Sequence, residues 1–184
     1  RQMCIRDRNK IVEQITKEEL LDVTGKFELG NHIEVVSVEP YGSGHINDTF
    51  RLEVKEDGKE KLYILQRMNK DIFTKPEELM ENVVGVTSYL RERIIENGGD
   101  PERETLNVIP TPDGAMFYKD SKGDYWRAYK FITDALGYDK VENPDDFYQS
   151  AVSFGNFQRL LADYPAETLH ETIKGFHDTK ARFQ

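Results

Sequence analysis

The fold is decided by residues 33–68, which read IEVVSVEPYGSGHINDTFRLEVKEDGKEKLYILQRM. The first eight of these residues are rich in Val and Ile, and apolar and polar side chains alternate along 48–55, as in a half-buried strand. Residues 62–68 predict a third strand. A glycine-containing turn separates the first two segments, and Asp57-Gly58 is a hairpin signal between the second and third. Short turns between successive strands predict an antiparallel three-stranded meander.

A long helix and two further strands are predicted after the meander. Pro76 suits the first turn of a helix, apolar residues then recur at helical spacing, and an Asn-Gly-Gly run at 97–99 ends it. Residues 105–110 and 125–133 are the two further strand candidates. The predicted fold class is therefore α+β, with a five-stranded antiparallel sheet and one long helix.

The composition divides the chain into four parts. Residues 1–8 match nothing downstream in style and are expected to be a non-native scar, whereas residues 9–30 are interpreted as a helical leader. Residues 31–134 contain the predicted sheet and long helix. A linker-like stretch then leads to Asn143, which is followed by Pro and two acids and so predicts a helix start. Residues 135–184 are therefore expected to begin a helical domain that is not complete.

The net charge and the number of cysteines limit the kinds of partner and the cellular compartments that we expect for this chain. The chain has 184 residues, a formal net charge of -9 and one cysteine. An acidic balance argues against a nucleic-acid partner, because phosphate neutralisation needs clustered Lys and Arg. No apolar run approaches the ~18 residues of a membrane span, and a single cysteine cannot form an intrachain disulfide or a cysteine zinc cluster. We expect a location in the reducing cytoplasm.

The order of the predicted elements is typical of the front lobe of a kinase. In such a lobe the glycine turn lets backbone N–H groups approach phosphates. The third strand usually supplies a Lys that neutralises phosphate charge, held by an acid on the helix. The segment that leads to the helical domain offers backbone groups to adenine. Residues 63–68 contain no Lys, so Gln66 or Arg67 must fill that position, and strand alternation lets only one of them face the cleft.

Five segments resemble the N-acetylhexosamine 1-kinases, in the aminoglycoside phosphotransferase and choline kinase-like family of the protein-kinase-like fold. They read YGSGHINDTF at 41–50, YILQRMN at 63–69, LMENVVGVT at 79–87, WRAYKFI at 126–132 and FHDT at 176–179. The resemblance implies a kinase-like front lobe followed by the first helices of an incomplete helical back lobe. It also implies transfer of the ATP γ-phosphate, with Mg²⁺, to the anomeric hydroxyl of an N-acetylhexosamine.

The resemblance further implies roles for particular residues. His45 and Asn47 match sugar-binding positions, and their side chains offer the donors and acceptors that ring hydroxyls and an acetamide need. On the third strand it favours Gln66, with Asn82 or Glu81 as the helix partner and Arg67 outside or paired to an acid. The residues matched to nucleotide-binding positions are Gly42, Gly44, Thr49, Gln66, Arg67 and Asn82, with Lys130, Phe131 and Ile132 at the link between the lobes, where backbone atoms would contact adenine.

Neither a catalytic nor a metal-binding acid is expected within the chain. His177-Asp178 is not followed by the Asn and the second Asp that kinase chemistry uses, so we expect it to be a structural landmark. The resemblance then implies that the catalytic and metal-binding acids lie beyond Gln184, and that the chain alone is inactive.

Two alternatives to this function stay open. The first is a kinase for another acceptor, such as a different sugar, homoserine, choline or an aminoglycoside. The second is a non-catalytic nucleotide-binding or interaction module. An unfinished helical domain would also expose apolar side chains such as Phe147, Phe154 and Leu161, with a risk of aggregation.

Overall fold

The computed structural model describes residues 15–42, 44, 46–135, 141 and 143–183. Its strands are β1 (Ile33–Pro40), β2 (Asp48–Glu56), β3 (Lys59–Met68), β4 (Val108–Ile109), β5 (Tyr118–Lys119) and β6 (Tyr125–Lys130). Its helices are α1 (Lys17–Thr24), α2 (Pro76–Glu96), α3 (Pro101–Glu104), α4 (Pro144–Leu160) and α5 (Thr179–Arg182), with a 3₁₀ turn at Ala166–Thr168. The fold is α+β, with an open antiparallel sheet and one long helix.

All strand pairs in the sheet are antiparallel, and its order is β1-β2-β3-β6-β4. The meander predicted from the first three strands is confirmed. Asp57 and Gly58 join β2 to β3, and both have positive φ (50° and 77°), as a tight two-residue hairpin turn requires. After α2 the chain returns through β6, which lies beside β3.

The region between α2 and β6 differs from the prediction of five strands. The segment predicted as a strand at 105–110 is a strand only at β4, and the short strand β5 also pairs with β6, which makes six strands. The side chain of Asn107 donates to the carbonyls of Pro101 and Thr105 at 3.1 and 3.2 Å. These bonds hold the start of the segment as a loop, so only its end joins the sheet.

Two apolar layers cover opposite faces of the sheet. We call the face packed against α1 the α1 face, and the face packed against α2 the α2 face. The buried cluster on the α1 face consists of Leu20, Val23, Phe27, Leu29, Phe50, Leu52, Val54, Tyr63, Leu65, Trp126 and Ala128. On the α2 face, Met68 and Tyr125 pack against Met80 of α2. The two helices therefore enclose the sheet, and the site described below lies on the α2 face.

The predicted helical leader is helical over α1, and residues 9–14 of it lie outside the described residues. Thr16 and Glu19 form a capping box that starts the helix, because each side chain accepts a hydrogen bond from the other residue's backbone N–H. Beyond the helix the chain stays attached to the sheet, since the Tyr63 hydroxyl donates to the carbonyl of Leu29 at 2.7 Å.

Helices α2 and α4 begin where the sequence predicts. Pro76 is the first residue of α2, and Gly98, with φ 74°, follows its end. The side chain of Asn143 caps α4 by accepting a hydrogen bond from the Asp146 N–H at 2.9 Å.

Helix α4 leaves most of its apolar side chains in solvent. Phe147 and Phe154 are each 68% exposed, as expected, whereas Leu161 is half-buried. In the part of the chain that the structure describes, we find no helix with the length and apolar character needed to cross a membrane.

Candidate functional site

The glycine turn between β1 and β2 leaves its backbone accessible. The Tyr41 N–H donates to the carbonyl of Thr49 at 2.8 Å and closes the base of the turn. Gly42 has φ 80°, a conformation that disfavours any side chain. No atom of the described residues lies within 4 Å of the position that a Cβ would occupy at Gly42 or Gly44. A ligand can therefore approach the main chain here closely.

The two residues predicted to bind sugar adjoin this turn. The side-chain oxygen of Asn47 accepts a hydrogen bond from the Asn69 N–H at 2.9 Å, which ties the turn to the end of β3. Asn47 thus has a structural contact in addition to any contact with a ligand. His45 lies outside the described residues.

Gln66 and Arg67 of β3 lie on opposite faces of the sheet, as strand alternation requires. Gln66 is on the α2 face. The Arg67 guanidinium forms ion pairs with Asp48 at 2.8 Å and with Asp124 at 3.2 Å, and it lies over the ring of Trp126 on the α1 face. Because its charge is paired with two carboxylates, Arg67 is poorly suited to bind a phosphate. Of the two residues, Gln66 is the one whose side chain lies on the α2 face.

Gln66 lies at the centre of a hydrogen-bond network on the α2 face. Strand register places Thr49, Gln66 and Arg127 opposite one another on β2, β3 and β6. The Gln66 amide donates to the Thr49 hydroxyl at 2.8 Å. Its oxygen accepts from Arg127 Nε at 3.0 Å, from Arg127 Nη2 at 2.7 Å and from the Tyr129 hydroxyl at 2.6 Å. The network fixes a guanidinium two strands away from the glycine turn.

This network contains a guanidinium that is not ion-paired among the described residues, and the Glu77 carboxylate of α2 binds the Tyr125 hydroxyl instead. Arg127 is half-buried, and it forms no ion pair with a carboxylate of any described residue. Burial raises the pKa of the Tyr129 hydroxyl above its ordinary value of 10.0, and the nearby Arg127 guanidinium opposes that shift. Arg51 is half-buried on the same face, and within the described ranges it too has no carboxylate partner. The α2 face therefore carries two arginines without an ion pair among the described residues, although Glu39 of β1 lies opposite Arg51 in the strand register.

The predicted pairing of Gln66 with Asn82 or Glu81 is wrong. The side chain of Asn82 exchanges two hydrogen bonds with the backbone of His170, at 2.8 and 2.9 Å. The Glu81 carboxylate lies 2.6 Å from the His170 imidazole. Both α2 side chains therefore point towards the C-terminal segment, and Gln66 is held by its strand neighbours instead.

The link after β6 offers backbone groups at the other end of the α2 face. The strand stops at Lys130, short of the predicted end at 133, although the Phe131 N–H still donates to the carbonyl of Leu62 at 3.0 Å. The Lys130 side chain is bound to Glu102 at 2.6 Å, so it is not free for a ligand. The Ile132 N–H makes no hydrogen bond with any described residue. Of the three predicted link residues, Ile132 is the one with an available donor.

An aromatic contact joins the turn to the link. The rings of Tyr41 and Phe131 meet edge-on with centroids 5.4 Å apart. Strands β2 and β3 lie between β1 and β6, so the two rings must reach across the face to touch. The turn and the link are therefore close in space, with Phe131 beside the backbone donor of Ile132.

A cavity of about 780 Å³ lies at the link end of the sheet. The link residues 130–133 line it together with Val84 and Arg91 of α2, whereas Gly42, Thr49 and Gln66 do not. It therefore adjoins the network described above without containing it.

The His177-Asp178 pair has a structural contact. The Asp178 carboxylate accepts a hydrogen bond from the Ala181 N–H at 2.9 Å and so caps α5. The His177 ring meets the ring of Phe176 edge-on, at 4.9 Å between centroids. The described residues contain no group of three or more His, Cys, Asp or Glu side chains that could hold a metal ion.

Arg127 is the residue of this network that sequence reasoning did not select. Alternation along YWRAYK does place Arg127 and Tyr129 on one face and Trp126 and Ala128 on the other. That pattern could have marked Arg127 as a polar residue opposite the core. Its pairing with Gln66 could not be read from sequence, because a long helix and two short strands separate β3 from β6.

No protein-family model matches the sequence. The chemistry of the site must therefore be argued from its own groups. An accessible glycine turn and a partly buried guanidinium suit an anion. A backbone N–H beside Phe131 that has no partner among the described residues suits a flat ring with a polar edge.

Proposed function

We propose that this chain is the ATP-binding front part of a small-molecule kinase that phosphorylates the anomeric hydroxyl of an N-acetylhexosamine. The observation that supports it best is the placement of two accessible backbone groups at two ends of one sheet face, joined by the Tyr41–Phe131 contact. These groups are the open glycine turn and the Ile132 N–H, which has no partner among the described residues. A nucleotide has complementary groups at its two ends, with phosphates for the turn and an adenine edge for the link.

The fold supports the same proposal at the level of architecture. A three-stranded meander, a long helix and a strand that returns beside β3 are the parts that a kinase-like front lobe needs. Residues 31–134 would form that lobe, and α4 would begin the helical back lobe. The acceptor class rests on the resemblance of segments 41–50 and 63–69, in which Asn47 and His45 would contact the sugar.

The chain's own residues would bind and position, and the chemistry would need further groups. The turn backbone at Gly42 and Gly44 would hold phosphates, with Thr49 beside it. Because no Asn follows Asp178 at kinase spacing, we propose that this chain by itself does not turn over ATP. We also place the activity in the reducing cytoplasm, where a lone cysteine stays a thiol.

The experiment is a titration of the chain with ATP, followed by amide NMR spectroscopy. We expect the amide signals of Gly42, Gly44 and Ile132 to shift with one common dissociation constant. The amide of Gly123, in the turn before β6, serves as a control that should not move. Absence of shifts at the turn and the link at millimolar ATP would contradict the proposed function.

The acceptor is tested on the same sample. N-acetylglucosamine or N-acetylgalactosamine added to the ATP-bound chain should shift the signals of Asn47, whereas choline and homoserine should not. A response to choline or homoserine alone would favour a kinase for another acceptor. Sugar-dependent ATP turnover by the chain would contradict its proposed inactivity.

The exposed aromatic side chains of α4 favour a second candidate, a non-catalytic interaction module. Phe147 and Phe154 are each 68% exposed, and exposed apolar side chains of this kind are found at sites that bind other proteins. This candidate gains if a partner protein raises the melting temperature of the chain and ATP with Mg²⁺ does not.

A further inference from the structure

We propose that the guanidinium of Arg127 on β6 is the cation that binds a phosphate group on the α2 face. In other kinase-like lobes a Lys on the third strand has this task. The proposal deepens the proposed function, because it names the group that would meet the nucleotide's phosphates. Its core, an anion site at Arg127, can be tested without a nucleotide.

The charge of Arg127 is not compensated by an ion pair within the described residues. Arg127 is half-buried, and its contacts are all with neutral groups, namely the Gln66 oxygen, the Met80 sulfur at 3.8 Å and the Tyr129 ring, 5.4 Å away. Removing a cation from water without a counter-charge is unfavourable. Arg67 shows the opposite case, since it is paired with Asp48 and Asp124. A phosphate beside Arg127 would supply the missing negative charge.

The guanidinium of Arg127 has N–H donors to spare. A guanidinium has five N–H donors. Nε and Nη2 each donate once to Gln66, and Nη1 makes one weak contact with the sulfur of Met80. One N–H on Nη1 and one on Nη2 therefore have no acceptor among the described residues. Two donors on a rigid planar fork suit the two oxygens of a phosphate.

The guanidinium of Arg127 is held in place before any ligand binds. The Gln66 oxygen accepts two hydrogen bonds from Arg127 and one from Tyr129, and the Gln66 amide nitrogen is fixed by Thr49. Gln66 is thus a positioning residue that acts through Arg127. Two strand spacings of ~4.8 Å separate Thr49 from Arg127, so a polyphosphate chain can meet both the turn and the guanidinium.

Arg127→Met tests the proposal with three probes: inorganic tripolyphosphate, ATP and adenosine. Calorimetric titration at low salt measures each dissociation constant. We expect the substitution to raise the dissociation constants of tripolyphosphate and ATP about 10-fold or more and to leave that of adenosine unchanged. Arg159→Met is the matched control, because Arg159 also lacks a carboxylate partner within the described ranges and contacts only Asn156 there. The control should bind all three probes as the parent chain does.

Gln66→Glu provides an independent variant in case Arg127→Met does not fold. It places a carboxylate where the amide oxygen now contacts the guanidinium, so the charge is compensated while the planar fork remains. We expect tripolyphosphate binding to weaken about 10-fold or more, with an unchanged or higher melting temperature.

The outcomes separate this inference from the proposed function. If the parent chain does not bind tripolyphosphate, or if both variants bind it as the parent does, Arg127 is not the phosphate cation. Suppose that the variants weaken tripolyphosphate binding, that ATP binds the parent chain no more tightly than tripolyphosphate does, and that adenosine does not bind. The anion site at Arg127 is then supported, and the proposed nucleotide-binding function is contradicted. If ATP and adenosine bind and the variants change neither ATP nor tripolyphosphate, the proposed function stands and the inference fails.

Discussion

Gly42 and Gly44 are two residues apart in one turn, but they differ in backbone conformation. Gly42 has φ 80°, in the left-handed region, whereas Gly44 does not have a positive φ. A Cβ on either residue would meet no described atom within 4 Å. Any cost of a methyl group in the free protein must therefore come from backbone conformation, and any cost in a complex must come from the ligand.

Substitution of these glycines by Ala separates the two effects. Gly42→Ala should lower the free energy of unfolding by about 1 kcal/mol, because Ala is strained in the left-handed region. Gly44→Ala should leave the free energy of unfolding unchanged and should weaken ATP binding by obstructing the approach of the phosphates. Urea unfolding and ATP titration of both variants are the measurements. A Gly44→Ala chain that binds ATP as the parent does would remove Gly44 from the phosphate contact.

Glu102 is a carboxylate whose titration is linked to folding. Hydrogen bonds from Lys130 first, and then from Arg91, hold the pKa of Glu102 below its ordinary value of 4.5. A lowered pKa in the folded state means that the unfolded chain takes up the proton first as the pH falls. The stability that Glu102 contributes is therefore complete above pH 4.5 and is lost as the pH falls through the folded-state pKa.

Glu102→Gln should reduce the loss of stability between pH 5 and pH 3. The variant is expected to be less stable than the parent at pH 7 and to approach it at low pH, because the amide cannot form the ion pairs but also does not titrate. Urea unfolding at several pH values measures the two curves. Glu167→Gln, at an exposed position of the 3₁₀ turn, is the control and should follow the parent. Parallel curves for parent and Glu102→Gln would contradict the linkage.

At the scale of elements, α2 is held from both sides. Met80 packs against the sheet, while Asn82 is bonded to the backbone of His170 and the ring of Tyr89 meets Tyr164 edge-on at 5.2 Å. The segment after α4 is therefore fastened along the outer side of α2. The position of the helix, and with it the Met80 contact to Arg127, depends partly on this segment.

Asn82→Ala should detach the segment that contains His170 from α2. The substitution removes two partly buried hydrogen bonds, each worth about 1 kcal/mol, and leaves the His170 N–H and carbonyl to water. We expect faster amide hydrogen exchange at residues 166–176 and a modest fall in the free energy of unfolding. His170→Ala is the matched control, because it keeps both backbone bonds and removes only the contacts of the imidazole with Glu81 and Glu78. Equal exchange in the two variants would contradict the role given to Asn82.

The elements that sequence predicts best are those with a local pattern. Strand β1 and the start of α2 were located correctly, because β-branched alternation and a first-turn Pro act over a few residues. The two-residue strands β4 and β5 carry too few residues to show a period. They exist because β6 offers them a partner, which is tertiary information.

The same limit applies to the candidate site. The order of the elements draws attention to the glycine turn and the link, and the resemblance implies roles for their residues. The pair of Gln66 and Arg127 depends on the register between β3 and β6, and the pairing of Asn82 with His170 joins residues that are 88 positions apart. A resemblance can indicate which residues matter, but only the sheet register shows which side chains meet.

At the scale of the whole molecule, the sheet with α1 and the helix α4 differ in how much of their apolar surface is buried. The sheet and α1 share a continuous buried cluster, whereas α4 has no buried residue. The aromatic side chains on α4 expose an apolar surface of the kind that associates with another apolar surface. Self-association should therefore depend on α4 and not on the stability of the sheet.

The double substitution Phe147→Ala and Phe154→Ala should reduce self-association with little effect on folding. Both side chains are 68% exposed, so the free energy of unfolding should change by less than about 0.5 kcal/mol. Sedimentation velocity over a range of concentrations measures association. Phe50→Ala is the comparison, because Phe50 is buried in the sheet core and its loss should cost about 3–5 kcal/mol. If the double variant self-associates as the parent does, the surface responsible for association is not the one formed by Phe147 and Phe154.

The alternation of side chains along β6 also determines which events change the tryptophan fluorescence of this protein. The chain has a single tryptophan, Trp126, which is 2% exposed on the α1 face and donates its indole N–H to Asp120 at 2.8 Å. Its neighbour Arg127 points to the opposite face, so a ligand there has the whole thickness of the sheet between itself and the indole. Tryptophan emission should shift to longer wavelength when the sheet unfolds and stay almost unchanged when a phosphate binds. Intrinsic tryptophan fluorescence should therefore report unfolding of this chain, and it should not report binding of a ligand at Arg127.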